Sequence, residues 1–394
     1  MSDMWKKRYL TEAVLEDLEH KMVFLSGPRQ VGKTTLSREL IGEHYPHAAY
    51  CNWDFKDDRK KILSGSWDAS ANLVIFDEIH KYRRWKNLIK GYYDKWKERF
   101  KFLVTGSARL NVFRRGGDSL QGRYHSFRLH PFSLTECFGL RIEQKPFHDL
   151  LFSEIPPSHE DLNLLVHYGG FPEPLIRQNE RHLRRWHKEK IERLFQEDVR
   201  DLETIRDLSL MEVLSDLLPN RVGSLLSLNS LREDLEISHR SITHWMNVLE
   251  KLYYHYRIYP YVSQKIRSLK KEPKLFLWDW SEVIDEGARW ENCIGSHLRK
   301  FVHYLQDYQG YQAELYFLRD RDKREIDFLV TINQKPWFAC EVKLTNHNLS
   351  THLNYFAERI NIPFTYQVTL EEGVDHFSGN TRIISGNKFL SAFN

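Results

Sequence analysis

The chain has 394 residues, of which 41% are hydrophobic and 28% charged, with a formal net charge of +4. That length accommodates about two to three domains with sizeable cores, and so mild a charge excludes a chain whose partner is dictated by net charge alone. Cys51, Cys137, Cys293 and Cys340 are scattered without a C-x-x-C pair, which argues against a disulfide framework or structural zinc; with no long apolar run and no signal-peptide core, the expectation is a cytoplasmic protein that makes no use of a membrane.

Residues 5–20 place Leu10, Ala13, Val14, Leu15 and Leu18 at helical spacing. The short apolar strand Met22 to Leu25 follows and runs into Gly27, Pro28, Arg29, Gln30, Val31, Gly32, Lys33, Thr34 and Thr35. This is G-x-x-x-x-G-K-T, the Walker A phosphate loop. The glycines let the backbone turn its N–H groups onto a polyphosphate. Lys33 is suited to the β- and γ-phosphates, and Thr34 to Mg²⁺. A helix starting near Lys33 aims its positive end at the same anion.

Ala48 to Trp53 reads as a second strand. Leu73 to Phe76 is a buried-type apolar run ending in Asp77 and Glu78. Asp77 is the expected Mg²⁺-shell carboxylate, and Glu78 the expected general base for the attacking water. Phe102 to Thr105 is another buried-type strand, making Thr105 and Ser107 candidate sensors of the γ-phosphate or water. Ligands of open α/β sheets bind beyond the carboxyl ends of strands, so these strand ends should converge. Between them, residues 81–101 are basic and aromatic. They suit either a nucleic-acid surface or an amphipathic helix packing its aromatics on the sheet, and the helical period favours packing. Arg123, just before the strand Tyr124 to Leu129, is the candidate arginine finger, supplied in cis or by a neighbouring subunit.

Residues 139–205 read as a small helical lid broken at Gly169 to Pro172, with the charge run 181–190 as a solvated face. Met211 to Leu218, Leu231 to Leu235 and His239 to Tyr253 then give a helix-turn-helix, with Tyr256 to Val262 as a wing. His239, Arg240, Thr243 and His244 are the residues that would meet a DNA groove; the same module serves equally for protein contact. A basic segment, 264–274, reads as a linker, and Lys274 to Trp280 as a strand of alternating character. Beyond it the order is α-β-β-β-α-β. Glu291 lies on the helix, Asp327 on one strand, and Glu341 and Lys343 on one face of the next. Such a set suits Mg²⁺-dependent phosphodiester cleavage, with Asp327 and Glu341 as metal ligands and Lys343 polarising the nucleophile. Strand-end charges paired with each other would look the same in sequence.

The N-terminal half resembles prokaryotic P-loop ATPases of the AAA+/STAND superclass. The shared motifs are GPRQVGKTT at Gly27 to Thr35, DEIHK at Asp77 to Lys81, TGSAR at Thr105 to Arg109, and the set Leu120, Gly122, Arg123, Pro131, Ser133 and Glu136. The resemblance implies ATP and Mg²⁺ as cofactors, with Asp77 on the metal and Glu78 as base. It also implies a winged helix followed by a C-terminal domain resembling PD-(D/E)xK nucleases, with Glu291, Asp327, Glu341 and Lys343 as the nuclease-like set. The expected architecture is α/β: a P-loop parallel sheet (1–138), a helical lid (139–208), a winged helix (209–262) and a PD-(D/E)xK-like domain (263–394). The expected partners are ATP, DNA through the last two segments, and a second copy or another protein. One alternative keeps the nucleotide switch but makes the C-terminal domain catalytically silent.

Overall fold

Apolar runs flanked by polar ends assemble into two separate sheets. The computed structural model describes residues 8–68, 70–106, 120–200, 207–262, 271–345 and 350–393. These form two compact units. One runs to Pro131 and includes Lys251–Tyr253, and the other takes Phe132–Glu250 and Tyr254–Asn394.

The first unit is built on five strands: β1 (Met22–Ser26), β2 (Ala48–Asn52), β3 (Leu73–Asp77), β4 (Lys101–Thr105) and β5 (Tyr124–Arg128). Their order is β2-β3-β4-β1-β5, and every pairing is parallel. The central strands β1 and β3 are buried along their whole length, whereas β2 and β5 at the edges are partly exposed. Continuous apolar sequence is what a parallel strand covered on both faces requires. Register aligns the carboxyl ends, with Thr105 opposite both Leu25 and Asp77. The helix Trp85–Trp96 buries Trp85 and Ile89. Its Tyr92 and Trp96 stand edge-on to or stacked about Trp67, Phe76 and Phe100. The packing reading of residues 81–101 therefore accounts for their aromatics.

The second unit carries an eight-stranded mixed sheet: β6 (His255–Pro260), β7 (Lys274–Leu277), β8 (Ala313–Arg319), β9 (Glu325–Ile332), β10 (Lys335–Lys343), β11 (Phe364–Thr369), β12 (Asp375–Ser378) and β13 (Thr381–Ser385). Its order is β12-β13-β11-β10-β9-β8-β6-β7. The helix Glu286–Asp307 packs on it through a stripe that includes Trp290, Ile294, Leu298 and Phe301, and it is N-capped by Asp285.

Three expectations change here. The expected boundary at 262/263 is crossed by the antiparallel pairing of β6 with β7. The expected wing strand, β6, also pairs with β8 and so belongs to the large sheet. Lys274, where the basic linker is expected to give way to a strand, does begin β7 and is 2% exposed. Likewise, the charge run 181–190 is not all solvated. On the helix Glu180–Arg193, Lys190 is half-buried against Asp279 at 2.8 Å and against Glu282, and the two carboxylates hold its ammonium above its ordinary pKa against the opposing effect of desolvation. Finally, the motif residues Ser133 and Glu136 form a capping box on the helix Leu134–Cys137. Glu136 then takes the buried ammonium of Lys300 as its partner, which ties this helix into the second unit rather than the first.

Candidate functional site

The phosphate loop is shaped by backbone rather than by side chains. A Cβ at Gly27 would lie 2.3 Å from the Leu129 carbonyl oxygen. Gly32 has φ 96°, a region closed to most L-residues. Pro28 and Val31 are buried, Arg29 points to solvent, and Gln30 adopts φ 62°. The Lys33 ammonium donates to the carbonyls of Gly27 (3.1 Å) and Pro28 (2.6 Å). Arg8, buried in front of the first helix, donates to the carbonyls of Val31 (2.8 Å) and His130 and so braces the loop from behind. Its only sequence signal was a charged residue next to an apolar helical run.

Asp77, at the end of β3, is 2% exposed. Its carboxylate accepts from the hydroxyls of Thr34 (3.0 Å), Tyr50 (2.6 Å) and Thr105. Sequence reasoning found Thr34 and Thr105 but missed Tyr50. The usable signal was that β2 follows the loop helix and pairs with β3 in register, Asn52 beside Asp77. Asn52 also donates to the Tyr50 hydroxyl (3.3 Å). Burial, and then the bond to Asp77, pushes the Tyr50 hydroxyl above its ordinary pKa.

Glu78 follows with φ 56° and donates its N–H to the Thr105 carbonyl at 3.1 Å. His80 Nε2 (3.5 Å) and Lys81 Nζ (3.8 Å) flank its carboxylate. Burial raises the carboxyl pKa of Glu78; Asp77 adds to the rise, while Lys33 and Lys81 oppose it. Thr35 is exposed in the first turn of the helix. A hydroxyl and a carboxylate 3.0 Å apart, with an ammonium on the adjoining loop, form a donor set that fits MgATP.

One expected member, Arg123, lies elsewhere. Ser107 falls outside the described residues. Arg123 sits at the amino end of β5, where its carbonyl accepts from Met22 N–H (3.2 Å). Its guanidinium grips Asp94 with bonds of 2.7 and 3.1 Å. That is the opposite end of the strands from the loop, about 17 Å away for a five-residue strand. The finger role in cis is therefore corrected: within one chain Arg123 does not reach the loop.

The second constellation does converge, but around a cation of its own. Lys274 Nζ lies 3.0 Å from Glu291, 2.7 Å from Glu325 and 3.1 Å from Asp327. Asp327 also accepts from Val342 N–H at 2.9 Å. Lys343 pairs with Glu341 at 2.8 Å, and Arg319 pairs with Glu325. Burial, then Asp327, pushes Glu291 and Glu341 well above the usual carboxylate range. Burial lowers the pKa of Lys274, but the surrounding carboxylates hold it above the ordinary lysine value. Among the described residues, no three His, Cys, Asp or Glu side chains are placed to hold a metal ion. The cation beside Asp327 is Lys274, and Glu341 keeps one buried oxygen, Oε2, without a hydrogen-bond partner among the described residues. Lys274 and Glu325 were missed, because a basic run hid the one lysine whose neighbours in β7 are apolar.

In the helix-turn-helix region the helix Leu228–Asp234 is followed by His239–Lys251, which buries Ile242, Trp245, Met246 and Leu249. His239, Arg240 and His244 are exposed, and Thr243 is half-buried with its hydroxyl on the His239 carbonyl. No helix among the described residues is long and apolar enough to cross a membrane.

Residues 19–138 match a family described as an AAA domain. Residues 159–282 and 286–389 match two families each described as a domain of unknown function, DUF8612 and DUF4143. Among relatives, the uncharacterized protein MJ1544 of Methanocaldococcus jannaschii is 22% identical over 368 residues, covering 87% of this chain and 79% of its own. The uncharacterized protein Rv2008c of Mycobacterium tuberculosis is 22% identical over 348 residues, covering 82% and 70%. Among solved structures, the Thermotoga maritima RuvB Holliday junction branch migration motor aligns over 67% of this chain and 93% of that one, at 17% identity and a TM-score of 0.32. Bacteroides Pif1 bound to ssDNA aligns over 31% and 41%, at 14% identity and a TM-score of 0.21. The segment that matches the AAA domain thus carries the phosphate loop on a parallel α/β sheet.

Proposed function

We propose that the protein binds and hydrolyses ATP with Mg²⁺, and that its nucleotide state is passed to the C-terminal region. The observation that carries this reading is the meeting of Thr34, Thr105 and Asp77 at aligned strand ends beside Lys33. ATP supplies the phosphoanhydride, and Mg²⁺ supplies the Lewis acidity that loosens it. The loop N–H groups from Gly27 to Thr35 hold the phosphates. Lys33 leaves two neutral carbonyls for a phosphate oxygen, a stronger charge-assisted partner. Thr34 and Asp77 would hold the cation, with the Asp77 carboxylate anchored by Tyr50 and Thr105. Glu78 takes the proton of the attacking water, and its raised pKa makes it the better base. Arg123 enters only from a neighbouring copy.

The test is paired. Lys33→Ala should weaken ATP binding by roughly tenfold to a hundredfold, the value of a lost charged hydrogen bond or two, as read by isothermal titration. Glu78→Gln should still bind ATP but turn over about 10²- to 10⁴-fold more slowly. Unchanged turnover in Glu78→Gln removes its role as base.

For the C-terminal region, DNA cleavage at Asp327, Glu341, Glu291 and Lys343 is one reading. The second is a switch or scaffold that binds DNA or protein, through the helix carrying His239, Arg240 and His244, without cutting. The ammonium of Lys274 against two of these carboxylates, Glu291 and Asp327, and against Glu325 beside them favours the second.

A further inference from the structure

We propose that Lys274 is the resident cation of the C-terminal carboxylate cluster and stands permanently where a nuclease of this arrangement would carry a divalent metal. This deepens the non-cutting reading above and rests on it, and it is independent of ATP hydrolysis.

The argument begins with donor count. An ammonium has three N–H donors and no acceptor. Lys274, itself rooted in β7, meets three carboxylates from two other elements, Glu291 from the helix Glu286–Asp307 and Glu325 and Asp327 from β9. Every donor is therefore matched, with no vacancy for a second ligand.

Size agrees. The oxygens stand 2.7 to 3.1 Å from Nζ, the spacing of a charged N–H···O bond. Mg²⁺ requires its oxygens at about 2.0–2.1 Å in an octahedron. A metal in the place of Nζ would have to expel the ammonium and draw all three carboxylates inward.

The surroundings resist that movement. Lys274 is held in β7, which pairs with β6 through the register Ile258 to Lys274. The segment from Val222 to Leu226 lies along β7, with Gly223 N–H on the Leu275 carbonyl (3.0 Å) and Leu226 N–H on the Pro273 carbonyl (2.8 Å). Gly223 closes over Glu291 so tightly that a Cβ there would sit 2.8 Å from Oε2. Asp327 spends its other oxygen on the Val342 N–H. Expelling the ammonium into this lining would leave a buried unpaired charge, which is strongly unfavourable.

The prediction concerns metal uptake by the full chain, free of nucleotide and stripped with chelator, with Mn²⁺ as the probe in isothermal titration. The wild-type chain should show no saturable uptake that Asp327→Asn abolishes. Lys274→Met, which keeps the side-chain length and removes the charge, should gain one Mn²⁺ per chain, at least about tenfold tighter than any wild-type uptake, and Asp327→Asn in that background should remove it. Asp327-dependent Mn²⁺ binding by the wild-type chain overturns the proposal. So does a folded Lys274→Met chain that takes up no Mn²⁺. If Lys274→Met does not fold, the wild-type and Asp327→Asn titrations decide by themselves. Loss of DNA or protein binding would instead count against the scaffold reading and leave the titration result standing.

Discussion

Asp77 is buried and Asp327 half-buried, each in polar company, but the company differs. Asp77 is satisfied by three neutral hydroxyls, those of Thr34, Tyr50 and Thr105. Asp327 and its neighbours are satisfied by a fixed ammonium. Exchanging a neutral hydrogen bond for a metal contact costs about 1 kcal/mol per bond. Separating a buried ion pair costs several. A site meant to take up and release a cation with each nucleotide should be lined by neutral donors. A site meant to keep its charge should carry its own counter-ion. The difference shows that two clusters of acidic residues, similar as sequence, can be opposite as chemistry.

The comparison can be broken most decisively by removing each partner. Lys274→Ala leaves three carboxylates facing each other in a buried setting and should lower the folding free energy of the second unit by about 3–5 kcal/mol, measured by urea denaturation. Equal loss on replacing a hydroxyl neighbour of Asp77 would erase the distinction. Next in size is acid sensitivity, which should be concentrated in the second unit. Burial is the main cause that takes His297 from 6.5 down to about 4, and His255 likewise. His297 Nδ1 donates to the Cys293 carbonyl (2.8 Å), so its Nε2 must accept from Leu134 N–H (3.1 Å). Because the unfolded chain takes up the proton first, this contribution is full above about pH 6.5 and drains as pH falls toward 4. The fall should be on the order of 3 kcal/mol per histidine. His297→Gln should flatten it in denaturation curves taken across that window. The smallest effect sharpens the comparison at Asp77 itself: Tyr50→Phe removes one neutral donor, about 1 kcal/mol. It should shift the Mg²⁺ concentration for half-maximal ATP turnover by no more than about fivefold, with ATP binding retained.

Much of the first unit was legible because its signals are local. Gly27 to Thr35 specifies a backbone shape, and β1, β3 and β4 announce themselves as apolar runs ending in polar residues. What was hidden depends on register. Tyr50 reaches Asp77 only because β2 lies beside β3. Arg123 looked close to the site in sequence, yet it stands at the far end of β5. In the second unit the carboxylates Glu291, Asp327 and Glu341 were readable as a set, but their charge state was not. That state turns on Lys274, whose burial follows from the pairing of β7 with β6 rather than from its basic neighbours. The strands β12 and β13 and the closing helix Gly386–Leu390 also went unread, since short polar strands carry little periodic signal.

Glu78 holds its carboxylate in the left-handed region, at φ 56°. An L-residue with a Cβ pays roughly 1–2 kcal/mol there, which glycine would not. The position is therefore a standing compromise between foldability and chemistry. Random substitution followed by selection for thermal tolerance alone would drift toward glycine or asparagine at residue 78, and with Glu78 as the proposed base it would return a sturdier but inert protein. A stabilised version for crystallisation or engineering would do best to leave this residue untouched and look for its gains elsewhere.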